Sequence, residues 1–360
     1  MWHENKFTQE IGIKYPIIQA GMAGGVTTPE LVGTVSNAGG LGTLGAGYMS
    51  PDDIDQSIQK IKQLTPNPFG VNVFIPEFPE VSDGQIEKSN QLMSPFREEL
   101  NLKTKQTPKQ SKSLFDKQMD VILKHKVPVC SFTFGVPSKE TVQKLKRENI
   151  IVIGTATTVN EAIINEENGM DMVVVQGSEA GGHRGTFFSP FENAMIGTMA
   201  LVPQVADHVD IPVIAAGGIM DSRGVLASIV LGAQAVQMGT AFVTSSESGA
   251  KEQHKDAIMN TTEEQPVITS AFSGKPARGI QNQFILKMKD YEDNLPGYPV
   301  QNSLTKDIRK EAAKQNRPEW MSLWSGQNPR LSQKESANDI MVNIVADVTS
   351  QISAISKHGK

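Results

Sequence analysis

Short runs of hydrophobic residues recur along the chain, each bounded by glycine or proline, and most are continuous rather than alternating with polar positions. Continuous apolar runs are typical of strands buried on both faces, as in a parallel sheet covered by helices. Eight strands are predicted, at Ile17–Met22, Leu41–Gly45, Phe69–Phe74, Val127–Phe134, Ile150–Thr155, Met172–Gln176, Pro212–Ala216 and Ala235–Phe242.

Helix start signals lie between these runs. Thr28 precedes Pro29, which puts a capping hydroxyl before a first-turn proline. Thr158 lies three residues before Glu161, the spacing of a capping box, and Asp221 is predicted to begin another helix. Strand and helix alternate eight times, which predicts parallel pairing with right-handed crossovers. The fold class is therefore α/β, and a TIM (β/α)8 barrel is the expected architecture.

The main alternative is an open, doubly wound sheet. Such a sheet, when it binds a dinucleotide, requires a G-x-G-x-x-G turn after its first strand. The sequence at that place is Gly21-Met22-Ala23-Gly24-Gly25, which lacks this spacing. The closed barrel is therefore favoured over the open sheet.

The chain is longer than one barrel requires. It has 360 residues, whereas a barrel needs roughly 250. We predict a barrel over residues 1–244 with an insertion at about 76–126, and a smaller, mostly helical domain over residues 245–330 that contacts the substrate or acts as a lid. Residues 331–360 are predicted to add a terminal helix, Ala337–Ile355, packed back on the barrel.

Composition narrows the functional classes. The net charge of -5 disfavours a general nucleic-acid surface, and the basic stretch from Lys103 to Lys126 is interpreted as a solvated helix face. Hydrophobic residues make up 38% of the chain, but no apolar stretch reaches the roughly 20 residues of a membrane-spanning helix. The charged N-terminus lacks a hydrophobic signal region, and one cysteine excludes an internal disulfide, so a cytoplasmic protein is expected.

Two glycine-containing segments suit a phosphate. Gly217 and Gly218 follow the seventh predicted strand, and Gly239 and Thr240 lie in the eighth, where TIM barrels often bind phosphate. Glycine lets backbone N–H groups approach an anion without an intervening Cβ, and the threonine hydroxyl adds a donor. Either pair alone also fits a tight turn, but together they predict a phosphate site.

Other strand ends offer further ligand contacts. Gly21 and neighbouring glycines after the first two strands favour the close approach of a flat aromatic ring, although turns also use glycine. Asn72 lies inside a buried run, and Gln176 ends the sixth strand. A satisfied core amide is the alternative for Asn72, but a ligand contact is favoured because buried amides need specific partners.

The candidate for chemistry is His183, in the segment from Gln176 to Gly185 after the sixth strand. A histidine between glycines is poor core material, and barrel catalysis occurs at this end of the strands. Its ordinary pKa of about 6.5 suits proton transfer near neutrality. None of the other histidines forms a ligand pair with His183, so no metal site is predicted.

Several neighbouring residues allow two interpretations. Arg184 fits either an anion clamp or a surface ion pair, and Glu179 fits either an orienting group for the histidine or a solvated carboxylate. Trp320 and Trp324 either cap the pocket or pack in a core. Cys130 lies in the middle of a strand and is predicted to be buried, so a covalent thiol mechanism is rejected.

Ten segments carry a family resemblance: Pro16–Ala20, Met22–Gly25, Ala38–Gly42, Asn72–Phe74, Ser131–Gly135, Gly154–Thr157, Gln176–Gly185, Ala215–Ile219, Gln237–Thr240 and Trp324–Gln327. With these segments the chain resembles the nitronate monooxygenases, formerly called 2-nitropropane dioxygenases. The combination is specific, although no single segment is, and it covers residues 10–245 best. Many members have proline where this chain has Gly21, which leaves the first loop and the substrate preference open.

The resemblance implies an enzyme with noncovalent FMN at the mouth of the barrel. The implied reaction converts a nitronate, such as propionate 3-nitronate, and O2 to a carbonyl compound and nitrite. His183 matches the catalytic histidine, which takes a proton from a neutral nitroalkane or hydrogen-bonds a preformed nitronate. FMN contacts are predicted at Gly21, Met22, Ala23, Asn72, Gln176, Gly181, Gly182, Gly217, Gly218, Gln237, Met238, Gly239 and Thr240. No nucleic-acid or membrane partner is expected, and a homodimer is left open.

Three other functions are kept as alternatives. A flavin-dependent enoyl-acyl-carrier-protein reductase is similar in its barrel, its FMN and a Glu-Ala-Gly-Gly-His run, and an NAD(P)H:quinone reductase is a related type. Both would use NAD(P)H, and the first would also need a basic docking patch, for which the stretch from Lys103 to Lys126 is the candidate. The third, from a different class, is a flavin-binding protein without turnover.

Overall fold

The computed structural model describes residues 1–103, 106 and 113–358. It contains a closed barrel of eight parallel strands, which confirms the predicted fold class. The strands of this region are β1 (Ile17–Gln19), β2 (Leu41–Gly45), β3 (Phe69–Phe74), β4 (Val129–Thr133), β5 (Ile151–Ala156), β6 (Met172–Gln176), β7 (Gly182–His183), β8 (Val213–Ala216) and β9 (Ala235–Met238). Only β7 lies outside the barrel, and β9 closes the barrel onto β1 by pairing Gln237 with Ile18.

Helices connect these strands, and three of them begin at the predicted caps Thr28, Thr158 and Asp221. The helices are α1 (Lys6–Ile11), α2 (Pro29–Asn37), α3 (Pro51–Leu64), α4 (Asp83–Glu99), α5 (Leu114–His125), α6 (Lys139–Arg147), α7 (Val159–Glu167), α8 (Thr198–Ala206), α9 (Ser222–Val230) and the short α10 (Thr240–Val243). Thr28 caps α2 by accepting a hydrogen bond from the Leu31 amide at 3.0 Å. Asp221 caps α9 by accepting from the Arg223 amide at 3.0 Å.

Two of the predicted strands extend too far at the C-terminal rim. The first predicted strand extends to Met22, whereas β1 ends at Gln19. The eighth predicted strand extends to Phe242, whereas β9 ends at Met238 and is followed by α10. Phe242 is fully buried in the barrel core. Its hydrophobicity therefore predicted burial correctly, but burial alone does not distinguish a strand from a short helix.

The chain after α10 builds a second layer against the rim of the barrel. Its elements are α11 (Glu252–Met259), β10 (Pro266–Thr269), β11 (Ala277–Ile280), α12 (Gln283–Met288), α13 (Val300–Leu304), α14 (Lys306–Lys314) and α15 (Ala337–His358). β10 and β11 pair in antiparallel fashion, and β7 joins them as a third strand. The segment predicted to be mostly helical thus also contains a small sheet. The domain bounds at 244 and 330 stay a prediction.

The insertion after β3 packs with this second layer. Phe96 of α4 lies in one hydrophobic cluster with Phe284 and Trp320. Arg97 donates to Asp307 at 2.9 Å, which fastens α4 to α14. By contrast, α5 packs on α3 and β3 as a barrel helix. Residues 104–105 and 107–112, which belong to the predicted insertion and to the first half of the basic stretch, lie outside the described residues.

The terminal helix α15 packs on α2 and α9, where we predicted a helix against the barrel. Its residues Met341, Ile344 and Val348 are buried in the same cluster as barrel residues. Within the described residues, no helix is both long and apolar enough to cross a membrane.

We predict that Phe284→Ala destabilises the protein by about 3–5 kcal/mol, because it removes a ring that is fully buried and stacked 4.3 Å from Phe272. Leu286 lies on the same helix and is 48% exposed, so Leu286→Ala is the matched control, with an expected cost under about 0.5 kcal/mol. Urea unfolding measures both. Equal costs would contradict this account of the second core.

Candidate active site

A large cavity opens at the C-terminal rim of the barrel, between the strand ends and the second layer. Its empty volume is about 1360 Å³, including the open mouth. The cavity lies at the end of the strands where TIM-barrel enzymes place their chemistry.

The cavity brings together nearly all residues that the sequence singled out. Thirteen of the fourteen line it: Gly21, Met22, Ala23, Asn72, Gln176, Gly181, Gly182, His183, Gly217, Gly218, Gln237, Gly239 and Thr240. The exception is Met238, which is 1% exposed and packs into the barrel core. Because side chains alternate along a strand, Met238 points away from the cavity that Gln237 lines.

The rim of β8 and β9 has the chemistry of an anion cradle. Gly217 and Gly218 adopt φ values of 115° and 71°, which side chains rarely tolerate. Among the described residues, the amides of Gly218, Gly239 and Thr240 donate to no protein acceptor. Since β8 and β9 are neighbours in the barrel, these unpaired N–H groups lie at the same end of adjacent strands, a position suited to a phosphate.

Two side-chain amides on the barrel strands remain available to a ligand. Asn72 is 6% exposed and donates to Ser131 Oγ at 3.0 Å and to Thr133 Oγ1 at 3.1 Å. Its oxygen has no protein donor among the described residues, and Gln237 makes no side-chain hydrogen bond there. These groups suit the polar edge of a flat ring that lies on the barrel mouth.

Gln176 serves the histidine segment instead. Its Nε2 donates to the His183 carbonyl at 3.1 Å, and its Oε1 accepts from the Gly185 amide at 2.8 Å. The amide thus holds the backbone on both sides of Arg184. Gln176 still lines the cavity, so a contact to a cofactor stays a prediction.

His183 belongs to a strand and is packed by distant residues, contrary to the expected glycine loop. In β7 it pairs with Ala277 of β11. The rings of Phe134, Tyr298 and Trp324 surround it, with centroids 5.7, 5.9 and 5.4 Å from its own. This burial lowers the pKa of His183 to about 3, and the nearby charges of Lys275 and Arg309 add to the shift.

One hydrogen bond orients the imidazole. His183 Nε2 lies 2.9 Å from the hydroxyl oxygen of Ser273, a residue with 1% exposure. That hydroxyl donates its own proton to the Lys275 carbonyl at 3.0 Å, because a carbonyl can only accept. This arrangement favours the tautomer with the proton on Nε2, in which Nδ1 keeps its lone pair. Nδ1 has no partner among the described residues.

Arg184 and Glu179, the charged residues of the segment from Gln176 to Gly185, hold the backbone in place. None of the interpretations that the sequence left open for them applies. Arg184 is 1% exposed and donates to the carbonyls of Gly177, Gln176 and Ala194 at 2.6, 3.0 and 3.1 Å. Burial lowers its pKa to about 10. Glu179 accepts from the Thr198 amide at 2.9 Å and so caps α8. Both fix the shape of the loop after β6.

Each of the two roles considered for the tryptophans, core packing and capping of the pocket, applies to one of them. Cys130 is buried, as predicted. Trp320 is 3% exposed and packs in the second core, whereas Trp324 lines the cavity beside His183. Gly326, two residues later, donates its amide to Thr240 Oγ1 at 2.9 Å and so closes the tail onto the cradle. Cys130 is fully buried, and burial raises the pKa of its thiol.

Sequence analysis missed four residues around the histidine. They are Tyr48, Ser273, Lys275 and Tyr298. Ser273 and Tyr298 contact His183 directly. The Lys275 carbonyl accepts from Ser273, and Tyr48 hydrogen-bonds Tyr298. Tyr48 lies near the end of β2, a position from which a barrel contact can be expected. The other three come from the tail, where no motif marks them, and only the fold brings them to the site.

The chain is similar to several known proteins over almost its whole length. A family model for nitronate monooxygenase matches residues 5–347. A probable nitronate monooxygenase of Staphylococcus haemolyticus (strain JCSC1435) is 52% identical over 357 residues, covering 99% of this chain and 100% of its own. The structure of nitroalkane oxidase from Streptomyces ansochromogenes has 38% identity and a TM-score of 0.92, with 98% and 100% covered. FabK from Thermotoga maritima has 30% identity and a TM-score of 0.78, with 99% of each covered.

The barrel, the cavity at its rim and these similarities define a class of protein, the flavin-dependent oxidoreductases. The family model spans almost the whole chain, and the staphylococcal relative is matched end to end. The chain belongs to the nitronate monooxygenase family.

We predict that His183 is neutral from pH 5 to 8 with its proton on Nε2, because its pKa is lowered to about 3 and Ser273 accepts from that nitrogen. A folded-state pKa below the ordinary value means that protonation occurs only in more acidic solution. Long-range ¹H–¹⁵N spectra of histidine-labelled protein report both properties, with His183→Asn to assign the signal. Titration near pH 6.5, or a proton on Nδ1, would contradict the prediction.

Proposed function

We propose that this protein is an FMN-dependent nitronate monooxygenase, which converts an alkyl nitronate and O2 to a carbonyl compound and nitrite. The observation that carries the proposal is the neutral, oriented His183 in the wall of a cavity whose rim offers unpaired amides to a phosphate. The cytoplasm is the proposed compartment, supported by the single, buried thiol of Cys130.

The residues present fit FMN. The amides of Gly218, Gly239 and Thr240 would hold its one phosphate, and Asn72 and Gln237 would hydrogen-bond the ring. Held there, FMN would supply the redox chemistry between the nitronate and O2.

His183 would act according to the charge of the substrate. With a neutral nitroalkane, the unprotonated Nδ1 is the available base. With a preformed nitronate, the negative charge favours proton uptake on that nitrogen, which then donates to a nitro oxygen. A base of low pKa is weak, so preformed nitronates are the favoured substrates.

The three aromatic rings around His183 have a separate role. Phe134, Tyr298 and Trp324 cover the imidazole from three directions. They exclude water from its surroundings, which strengthens every electrostatic interaction with a bound anion. They also restrict the space beside the histidine to a small substrate.

The test is an aerobic nitrite assay on purified yellow protein. The chromophore released by heat should be FMN, and propionate 3-nitronate should yield nitrite with O2 consumption. 3-Nitropropionate, whose nitroalkane carbon still carries its proton, should react at least about tenfold more slowly, because His183 is a weak base. If neither compound yields nitrite, the proposed function is wrong.

We predict that His183→Asn lowers kcat/KM by about 100-fold for the neutral nitroalkane, the smaller end of what a general base contributes. For the nitronate the loss should be about tenfold, the worth of one hydrogen bond to a charged group. His208→Asn is the matched control, since His208 is exposed on the surface. Unchanged nitrite release from both substrates would remove His183 from the mechanism.

A further inference from the structure

His254 is a second histidine in the wall of the cavity, and it was not among the predicted site residues. It belongs to α11, is 7% exposed and lines the cavity together with Trp324. Its Nε2 lies 2.8 Å from the Trp324 carbonyl oxygen. Because a carbonyl can only accept, Nε2 is the donor and carries a proton.

The other ring nitrogen of His254 is available to a ligand. Nδ1 makes no hydrogen bond within the described part of the chain, yet it is not among the buried polar atoms that lack a partner. Burial lowers the pKa of His254, and the hydrogen bond with the Trp324 carbonyl opposes that shift. The imidazole is therefore neutral near pH 7, and Nδ1 keeps a lone pair that can accept a hydrogen bond.

The tail connects His254 to the phosphate cradle of Gly218, Gly239 and Thr240. Trp324, whose carbonyl accepts from His254, lies two residues before Gly326. The Gly326 amide donates to Thr240 Oγ1 at 2.9 Å. Two residues of chain span at most about 7 Å, so the histidine contact and the cradle contact are close together.

The same segment leads to His183 on its other side. The Trp324 ring lies 5.4 Å from the His183 ring, and Thr240, Gly326, Trp324 and His183 all line the cavity. These contacts make one continuous stretch of wall from the cradle to the imidazole of His183. His254 belongs to that stretch through its hydrogen bond with the Trp324 carbonyl.

An acceptor nitrogen on this stretch selects a ligand by the groups that can donate to it. A nitronate and a phosphate dianion offer oxygens that only accept, and O2 has no donor. The N–H group of the flavin ring belongs to its polar edge, which Asn72 and Gln237 suit. In FMN the ribityl chain joins the phosphate to the ring and carries three hydroxyls, each of which can donate. Its chemistry and its place both match Nδ1 of His254.

We propose that His254 binds the ribityl chain of the cofactor, with Nδ1 accepting a hydrogen bond from one of its hydroxyls while Nε2 holds the tail at Trp324. This inference rests on the proposed function and deepens it. One side chain then ties the position of the cofactor to that of the Trp324 ring beside His183.

The experiment measures the binding of FMN and of its 2′-, 3′- and 4′-deoxy analogues to the full-length protein freed of its flavin, by quenching of flavin fluorescence. The wild type should bind at least one analogue about 3–10-fold more weakly than FMN, the range for one neutral hydrogen bond. His254→Gln keeps an N–H group that can reach the Trp324 carbonyl but lacks the acceptor at Nδ1. It should bind FMN about 3–10-fold more weakly and no longer distinguish that analogue from FMN.

A second variant and a control separate this contact from a role in stability alone. His254→Phe removes both hydrogen bonds of the imidazole, so it should lose the same discrimination and also melt at a lower temperature, because the Trp324 carbonyl loses its donor. His208 is exposed on the surface, and His208→Phe should change neither property. Thermal melting verifies that His254→Gln is folded.

The outcomes separate the two proposals. If His254→Gln distinguishes the analogues as the wild type does, or if the wild type binds all three as tightly as FMN, the contact is wrong and the proposed function stands. If the wild-type protein does not bind FMN, the proposed function fails and the contact fails with it.

Discussion

The pairing of β7 with β11 is the constraint on which the site depends. Gly182 pairs with Arg278 and His183 with Ala277, and the Arg184 amide continues the ladder to the Pro276 carbonyl at 2.8 Å. The loop after β6 is thereby held by a strand that comes from the tail. Ser273, which orients the imidazole, lies just before that strand. The histidine therefore gains its position only when the second layer is in place.

Buried charges complete this arrangement without entering the chemistry. Arg184 holds three carbonyls, Glu179 caps α8, and the fully buried Glu161 accepts from the Phe187 and Phe188 amides at 2.7 and 3.0 Å. Buried polar groups with satisfied partners make a structure rigid. Because these charges are occupied by backbone groups, they are not available to a ligand in the cavity.

The sequence predicted the barrel well because its signals are local. Helix caps such as Thr28 and Asp221, and continuous apolar runs, are properties of neighbouring residues. Of the site residues singled out from position in the barrel and from the family resemblance, all but Met238 line the cavity. The contacts that orient His183 could not be predicted in this way. Ser273 is 90 residues away along the chain, and a spacing of that length leaves no periodic or motif signal.

Two smaller errors have the same origin. Glu161 has capping-box spacing to Thr158, but its carboxylate serves Thr157 and the loop at Phe187 instead of returning to the cap. Arg184 was assigned to an anion or to the surface, because sequence does not show that carbonyls surround it. In both cases a nonlocal partner competes successfully with the local one.

The central claim is that this site oxidises nitronates beside an oriented His183, rather than accepting hydride from a nicotinamide. Anaerobic mixing of the flavin-loaded protein in a stopped-flow instrument tests it most directly. Propionate 3-nitronate should bleach the flavin absorbance within the time of one turnover, whereas NADH and NADPH should leave it unchanged. Rapid bleaching by NADH or NADPH, with none by the nitronate, would contradict the account.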